Sequence, residues 1–133
     1  MTTATSNLES SNLNTKIAGE AMEANRLVKG GTVEGEVLLA TAITDIAIGV
    51  TRHKAAIGES VEIQTGGEAK IYTTAVALAL NAQVMPGPGG AVLLAAGATA
   101  RSVGIVMTAT GGTLGELATV RLNVPNISGP ANA

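Results

Sequence analysis

Cysteine, phenylalanine and tryptophan are absent from this chain of 133 residues, and tyrosine occurs once, as Tyr72. The lack of cysteine excludes disulfides, a thiolate nucleophile and cysteine-ligated metals. With one aromatic residue, the core has to be built from Val, Ile, Leu and Ala. Such side chains contribute only about 0.8 kcal/mol per buried CH₂, so an isolated subunit is modestly stabilised. This composition favours burial of further surface by self-association.

A strong charge of either sign is also absent, since eight Lys and Arg stand against ten Asp and Glu. The basic residues are scattered, whereas nucleic-acid binding needs a basic stripe and often aromatic stacking platforms. We therefore expect no direct contact with nucleic acid. No apolar run approaches the ~20 residues of a membrane span. The first residues lack the basic and apolar regions of a signal peptide, so we expect no membrane association.

The two ends differ in composition from the rest of the chain. Residues 1–15 are dominated by Thr, Ser and Asn, which predicts a flexible N-terminal arm because such residues bury too little to order themselves. Residues 123–133 contain two prolines and small polar residues, which predicts an extended C-terminal arm. The length suits one domain, so we expect a single β-rich domain over residues 16–122.

Alternating apolar residues separated by glycine pairs dominate this body, which is typical of short strands and turns. The alternation places Ile46, Ile48 and Val50 on one predicted face, and Val61 and Ile63 on another. Further strands are predicted over residues 102–108 and 118–124. The predicted fold class is all-β, a small β-barrel or β-sandwich of short strands with flexible N- and C-terminal arms. At most one or two short helices are expected, with residues 20–27 and 74–80 as the candidates.

A pattern in the first half of the body recurs in the second half. Residues 48–50, 57–59 and 61–63 correspond to residues 103–105, 114–116 and 120–122. Each copy reads as a strand containing a glycine, an apolar-Gly-Glu turn and an alternating strand, so the pattern predicts a duplicated β-hairpin. The glycine inside each first strand, Gly49 or Gly104, predicts a bulge or a close backbone contact.

Several of these segments together resemble a known protein family. They are Ala-Gly-Glu-Ala and Arg-Leu-Val-Lys within residues 18–29, Thr-Asp-Ile-Ala-Ile-Gly-Val (44–50), Ile-Gly-Glu-Ser-Val-Glu-Ile (57–63), Ser-Val-Gly-Ile-Val (102–106) and Ala-Thr-Val-Arg-Leu (118–122). Over residues 17–123 the chain resembles the small capsid cement, or decoration, proteins of tailed bacteriophages, the DUF2190-like family. The resemblance implies a β-fold bound to the outside of an icosahedral head, as trimers at local threefold positions or as dimers at twofold positions. Residues 74–88 depart from that pattern, being richer in Ala, Pro and Gly.

The residues that could act in catalysis or bind a ligand lack the neighbouring residues that such sites require. His53 is the one histidine, and it lies between Arg52 and Lys54, which disfavours cation binding, so we interpret it as a solvated loop residue. Asp45, the one aspartate, precedes a predicted strand and is expected to fix a turn. The pairs Glu34/Glu36 and Glu59/Glu62 lack the ligand spacing of a calcium loop and are interpreted as surface charge. The glycine-rich stretches 86–90 and 110–113 lack the Gly-Lys-Ser/Thr of a phosphate loop and are predicted to be turns.

We therefore expect a non-enzymatic structural protein without cofactor or metal: a cement protein that stabilises a phage head by bridging major capsid protein subunits. Its expected partners are the major capsid protein and itself, with a homotrimer favoured and a homodimer the alternative. It would be assembled in the host cytoplasm and located on the outer capsid surface of the virion. Another self-assembling virion subunit, of head–tail connector or tail-tube type, is the main alternative, and a small ligand-binding barrel is a weaker one. The candidate interface residues are Tyr72, Leu8, Leu13, Val124 and Ile127.

Overall fold

The computed structural model describes residues 13–74, 77–94, 102–111 and 116–124. These residues form ten strands and one short 3₁₀ turn at Pro88–Gly90. The strands are β1 (Leu13–Ala18), β2 (Leu27–Gly30), β3 (Glu36–Leu39), β4 (Ala47–Thr51), β5 (Ser60–Gln64), β6 (Glu68–Tyr72), β7 (Gln83–Pro86), β8 (Val92–Leu94), β9 (Gly104–Val106) and β10 (Leu117–Leu122). The all-β prediction is confirmed.

The first five strands form a closed barrel in the order β1-β3-β2-β4-β5. β1 closes it by pairing antiparallel with β5 and parallel with β3. The alternation predicted for β5 is confirmed, because Val61 and Ile63 are fully buried while the residues between and beside them are more exposed. Their side chains pack with Val28 and Val37 inside the barrel.

The last five strands form a second sheet in the order β6-β10-β9-β7-β8. Among the described residues, its two edge strands, β6 and β8, are linked only by a parallel bridge between Thr73, which follows β6, and Val92 of β8. The second sheet is therefore curved like the barrel, but among the described residues it does not close. We call the gap between β6 and β8 its seam.

The two sheets are two copies of one unit, which we call unit 1 (β1–β5, Leu13–Gln64) and unit 2 (β6–β10, Glu68–Leu122). Read from β1, the barrel order β1-β5-β4-β2-β3 matches β6-β10-β9-β7-β8 strand for strand. Individual contacts also match. Ala18 N–H donates to Glu59 O, as Thr73 N–H does to Glu116 O, with both distances 2.9 Å. The predicted duplication is therefore confirmed and extends from a hairpin to the whole unit.

Two further features recur in both units, a left-handed asparagine and a glutamate that accepts a backbone N–H. Asn25 and Asn81 both adopt left-handed backbone conformations, with φ of 64° and 68°, which asparagine tolerates better than most residues. The carboxylate of Glu59 accepts the Ala56 N–H at 2.7 Å, and that of Glu116 accepts the Gly111 N–H at 3.1 Å. Glu59 thus holds the turn that precedes β5, and Glu116, the residue directly before β10, binds Gly111 through its side chain.

One part of the predicted correspondence was out of register. Thr51 pairs with Ile63 and Val106 pairs with Val120, so residues 61–63 match residues 118–120 and not 120–122. The cause is that β10 continues its apolar alternation through Leu122, so the sequence pattern fits equally well in two registers.

A β-bulge changes the face on which residues of β4 lie. Val28 pairs with Gly49 and Lys29 with Ala47, so Ile48 is left as an extra residue. The prediction that Ile46, Ile48 and Val50 share one face is therefore wrong. Ile48 packs against the core of the barrel, whereas Val50 belongs to the core of unit 2, and Ile46 is 42% exposed.

The helix candidate at residues 20–27 is wrong as well. Met22 forms an isolated bridge with Ala55, and β2 already begins at Leu27. The left-handed Asn25 cannot continue an α-helix, and the buried Met22 closes one end of the barrel. Residues 77–80 are also not helical, and residues 75–76 lie outside the described residues.

The predicted N-terminal arm ends earlier than expected. Residues 13–15 lie in β1 and pair with residues 62–64 of β5, because β5 needs a partner on its outer edge to complete the barrel. Residues 1–12 lie outside the described residues, as do residues 125–133 of the predicted C-terminal arm.

The predicted close backbone contact is present at both glycines. A Cβ on Gly49 would lie 2.8 Å from Gln64 O, and a Cβ on Gly104 would collide with Arg121 O and the Val120 side chain. We predict that Gly104→Ala lowers the free energy of unfolding by about 1–3 kcal/mol, because the added methyl forces β9 away from β10. Urea unfolding of the purified protein measures this.

The matched control is Gly30→Ala, where a Cβ would meet nothing within 4 Å. It should change the free energy of unfolding by no more than about 0.5 kcal/mol. Equal effects of the two substitutions would contradict the close approach at Gly104.

Candidate interaction surface

The seam of unit 2 is occupied by a segment of unit 1. The Tyr72 N–H donates to Asn25 O at 2.9 Å, whereas the equivalent N–H in unit 1, that of Ile17, donates to Gly35 O at 2.8 Å within its own barrel. A Cβ on Gly90, which corresponds to Gly35, would lie 3.0 Å from Leu27 O. The seam of unit 2 therefore stays open because residues 25–27 lie in it.

Arg26 fastens this segment to unit 2. Its backbone N–H donates to Thr51 Oγ1 within unit 1 at 2.9 Å, and its Nη1 donates to Gly89 O of unit 2 at 2.8 Å. The guanidinium carbon lies 3.9 Å from the centre of the Tyr72 ring, which is the geometry of a cation–π contact. Arg26 thus connects β2 of unit 1 to β6 and to the 3₁₀ turn of unit 2.

The outer face of unit 1 also completes the core of unit 2. Leu27 and Val50 are 0% and 2% exposed although both point out of the barrel. Together with Ala40 and Ala47 they pack against residues of unit 2 that include Ile71 and Val120. The outer face of unit 1 and the inside of unit 2 therefore form one shared hydrophobic core, which is separate from the core inside the barrel. Leu27 and Val28 bury the two faces of β2 in these two cores.

Apolar side chains remain exposed on the parts of each unit that this contact does not cover. On unit 2, Leu80 is 58% and Ile105 is 38% exposed. On unit 1, Ile17 is 44% and Val33 is 62% exposed, and Ile57 is 71% exposed on the β4–β5 turn. Contiguous exposed apolar surface marks interaction sites, so these side chains are candidates for contact with a partner.

The structure places three of the five predicted interface residues. Leu13 lies at the start of β1 and is 37% exposed. Tyr72 is half-buried beneath Arg26 in the contact between the units, and Val124 packs against the shared core. Leu8 and Ile127 lie outside the described residues. The exposed Leu80, Ile17 and Val33 were missed, because an apolar residue in a turn or strand does not reveal its exposure by periodicity alone.

The polar residues that were considered for chemistry hold turns in this structure. His53 Nε2 lies 3.1 Å from the Glu62 N–H and Nδ1 lies 3.0 Å from Lys54 O, so the ring links the β4–β5 turn to β5. Glu36 Oε1 accepts the Thr32 N–H at 3.0 Å across the β2–β3 hairpin. Glu34 is exposed at the tip of the same hairpin, beside Gly35, whose φ is 82°.

Asp45 fixes the connection between β3 and β4, as predicted. Its Oδ2 accepts the N–H groups of Thr41 and Ala42, each at 2.9 Å, and its Oδ1 lies 3.3 Å from Lys29 Nζ. Burial raises the pKa of Asp45, but the two N–H donors and the Lys29 ammonium together outweigh burial, and the pKa lies below its usual value. The ionised carboxylate thus holds the connection against β2.

A groove of about 290 Å³ runs along the contact between the units. Its described lining includes Arg52, Gln64, Lys70 and one carboxylate, Glu68, which is paired with Arg121 at 3.2 Å. The described residues contain no group of three or more His, Asp or Glu placed to hold a metal ion. Within the same residues, no helix is long and apolar enough to cross a membrane.

Comparisons with known proteins identify the fold. No family model matches the sequence, and no curated protein matches it significantly. Among solved structures, the N base of the head fiber gp8.5 of bacteriophage phi29 is similar, with a TM-score of 0.66 and 13% sequence identity. The alignment covers 84% of this chain and 92% of the phi29 chain. The likeness shows a shared fold.

We predict that the stabilisation provided by Asp45 depends on pH. Because its folded pKa is lowered, the contribution is fully present above the unfolded pKa of about 3.9 and is lost as pH falls through the folded pKa. At pH 7, Asp45→Asn should lower the free energy of unfolding by about 1–2 kcal/mol, since charged hydrogen bonds are replaced by weaker ones. Urea unfolding of both proteins across pH 2.5–7, the range set by that pKa, measures the difference.

The comparison is internally controlled, because the two proteins differ only at position 45. The difference should be constant above about pH 5 and shrink as the pH falls below about 4. A difference that does not change with pH would contradict this role of the ionised carboxylate.

Proposed function

We propose that this protein is a non-enzymatic structural component of a phage head, which binds the outer surface of the capsid and stabilises it by bridging major capsid protein subunits. The observation that carries the proposal is the fold shared with the N base of a phage head fiber, over 84% of this chain. The resemblance of residues 17–123 to capsid cement proteins, found in the sequence alone, points to the same class of protein.

The architecture is consistent with a mechanical role. The outer face of unit 1 packs into the core of unit 2, and the two units are fastened by Arg26 and by the hydrogen bond from Tyr72 N–H to Asn25 O. A body that does not flex between its units can transmit force between the capsid subunits it contacts. Flexible connection of two independent domains would instead allow the capsid subunits to separate.

The polar groups of the described residues support the same proposal. The carboxylates of Glu36, Glu59 and Asp45 accept backbone N–H groups in turns. A general acid or base needs instead to point at a space where a substrate can lie. In this proposal, no catalytic residue and no cofactor is assigned.

Bridging gains its strength from multiple contacts. A homo-oligomer, with a trimer favoured, touches several capsid subunits at once, so weak individual contacts add through effective concentration. Internal genome pressure would then have to break several contacts together to separate neighbouring subunits. Residues 1–12 and 125–133 are the candidate segments for docking to the capsid.

The test is co-sedimentation of the purified protein with expanded phage heads that lack a cement protein. We predict saturable binding at a fixed ratio to the major capsid protein, and loaded heads that release their DNA at a higher temperature than bare heads. Both follow if each oligomer bridges a defined set of capsid subunits.

Two truncations, lacking residues 2–12 or residues 125–133, serve as matched variants because both leave β1 and β10 intact. Weaker binding of one truncation assigns docking to that end. Failure of the full chain to bind expanded heads would reject the capsid role, and assembly into large rings or tubes would then favour a connector or tail-tube subunit.

A further inference from the structure

The contact between the two units has a donor side and an acceptor side. The donor side belongs to unit 1 and consists of residues 25–27 together with the outward-facing Val50. The acceptor side belongs to unit 2 and consists of Tyr72 and the 3₁₀ turn Pro88–Gly90. Because the two units are copies, unit 2 also has residues equivalent to the donor side. Unit 1 likewise has residues equivalent to the acceptor side.

Unit 2 carries an unused donor side. Asn81 repeats the left-handed conformation of Asn25, and its N–H donates to Val106 O at 2.8 Å, as the Asn25 N–H does to Thr51 O at 2.9 Å. Asn25 O accepts the Tyr72 N–H, but no described residue donates to Asn81 O. The neighbouring Leu80 is 58% exposed.

The other residues on the donor side of unit 2 are exposed, although the equivalent residues of unit 1 are buried. Ile105 corresponds to Val50 and is 38% exposed, against 2% for Val50. Gln83 corresponds to Leu27 and is exposed, whereas Leu27 is 0% exposed. The donor side of unit 2 thus has the backbone shape of a contact surface and lacks a partner among the described residues.

Unit 1 carries the counterpart of the acceptor side. Ile17 occupies the position of Tyr72, and residues 33–35 occupy that of Pro88–Gly90, with Gly35 at φ 82° and Gly90 at φ 76°. Ile17 and Val33 are 44% and 62% exposed. The barrel is already closed by the bond from Ile17 N–H to Gly35 O, so a partner here would be bound through these side chains.

We propose that the donor side of unit 2 (Leu80, Gln83 and Ile105) binds the acceptor side of unit 1 (Ile17 and Val33) in a second copy of this chain. The contact between copies would use positions equivalent to those that form the contact between the two units of one chain. Leu80 and Ile105 on one surface and Ile17 and Val33 on the other are apolar, whereas Gln83 is polar and the exposed carboxylate of Glu34 lies beside Val33. The arrangement rests on the self-association in the proposed function and supplies its interface.

Such a contact joins copies head to tail, which makes it heterologous. A heterologous contact closes into a ring when its rotation permits and grows into a filament when it does not. A closed ring of three copies is the form that the proposed capsid role favours. It would place three equivalent outer surfaces around one axis.

The experiment is a charge exchange read by sedimentation equilibrium of the full chain. Leu80→Glu and Ile17→Lys each place one charge in the contact, and each should weaken self-association at least tenfold. The double variant carries opposite charges on the two sides of every contact, so it should recover self-association to within a few-fold of the natural chain. Recovery should fade with added salt, because the new attraction is between partly exposed charges.

Ile46→Glu is the matched control, since Ile46 is 42% exposed but lies in the β3–β4 connection. It should leave the measured mass unchanged, and circular dichroism should show that all variants remain folded. Any one of three results would overturn the assignment. The natural chain could be monomeric, both single variants could keep the mass of the natural chain, or the double variant could stay dissociated. Binding to phage heads is measured separately. If the substitutions leave self-association unchanged, this interface is rejected, but the proposed function is not.

Discussion

The open seam of unit 2 is the constraint on which the rest of this structure depends. In unit 1 the first and third strands of the barrel pair with each other, and the Ile17 N–H is satisfied inside the barrel. In unit 2 the equivalent Tyr72 N–H is given to Asn25 of unit 1. With the seam open, Leu27 and Val50 enter the core of unit 2 from outside. The second unit is thus completed by the first.

This arrangement answers the shortage of large side chains in the sequence. With a single tyrosine as its only aromatic residue, each five-stranded unit has little apolar volume of its own. Sharing a core lets β2 bury Leu27 on one face and Val28 on the other, and burial of that area is the main source of stability. Exposed aliphatic residues remain on both units, so the self-association proposed above would bury further apolar surface.

The sequence was informative wherever local rules decide the structure. The bounds of β5 follow from strict alternation in residues 60–64, and Gly49 and Gly104 marked close approaches because no other residue fits there. Asp45 was assigned to a turn for the correct physical reason.

The sequence did not predict features that depend on residues that are distant in the chain but close in space. Leu27 and Val28 are adjacent and both buried, but they belong to different cores, and no periodicity reports this. The bulge at Ile48 redirects β4 through its pairing with β2, which is equally invisible in one strand. Tyr72 is half-buried beneath Arg26, which lies 46 positions earlier in the chain.

The most direct test of the shared core is hydrogen exchange measured by mass spectrometry on Leu27→Ala, with Val28→Ala as the reference. Both residues are 0% exposed neighbours in β2. We predict that Leu27→Ala accelerates exchange in β6, β9 and β10 of unit 2 and leaves β1 and β5 protected, whereas Val28→Ala does the reverse. Faster exchange confined to unit 1 in the Leu27→Ala protein would contradict the claim that unit 1 completes the core of unit 2.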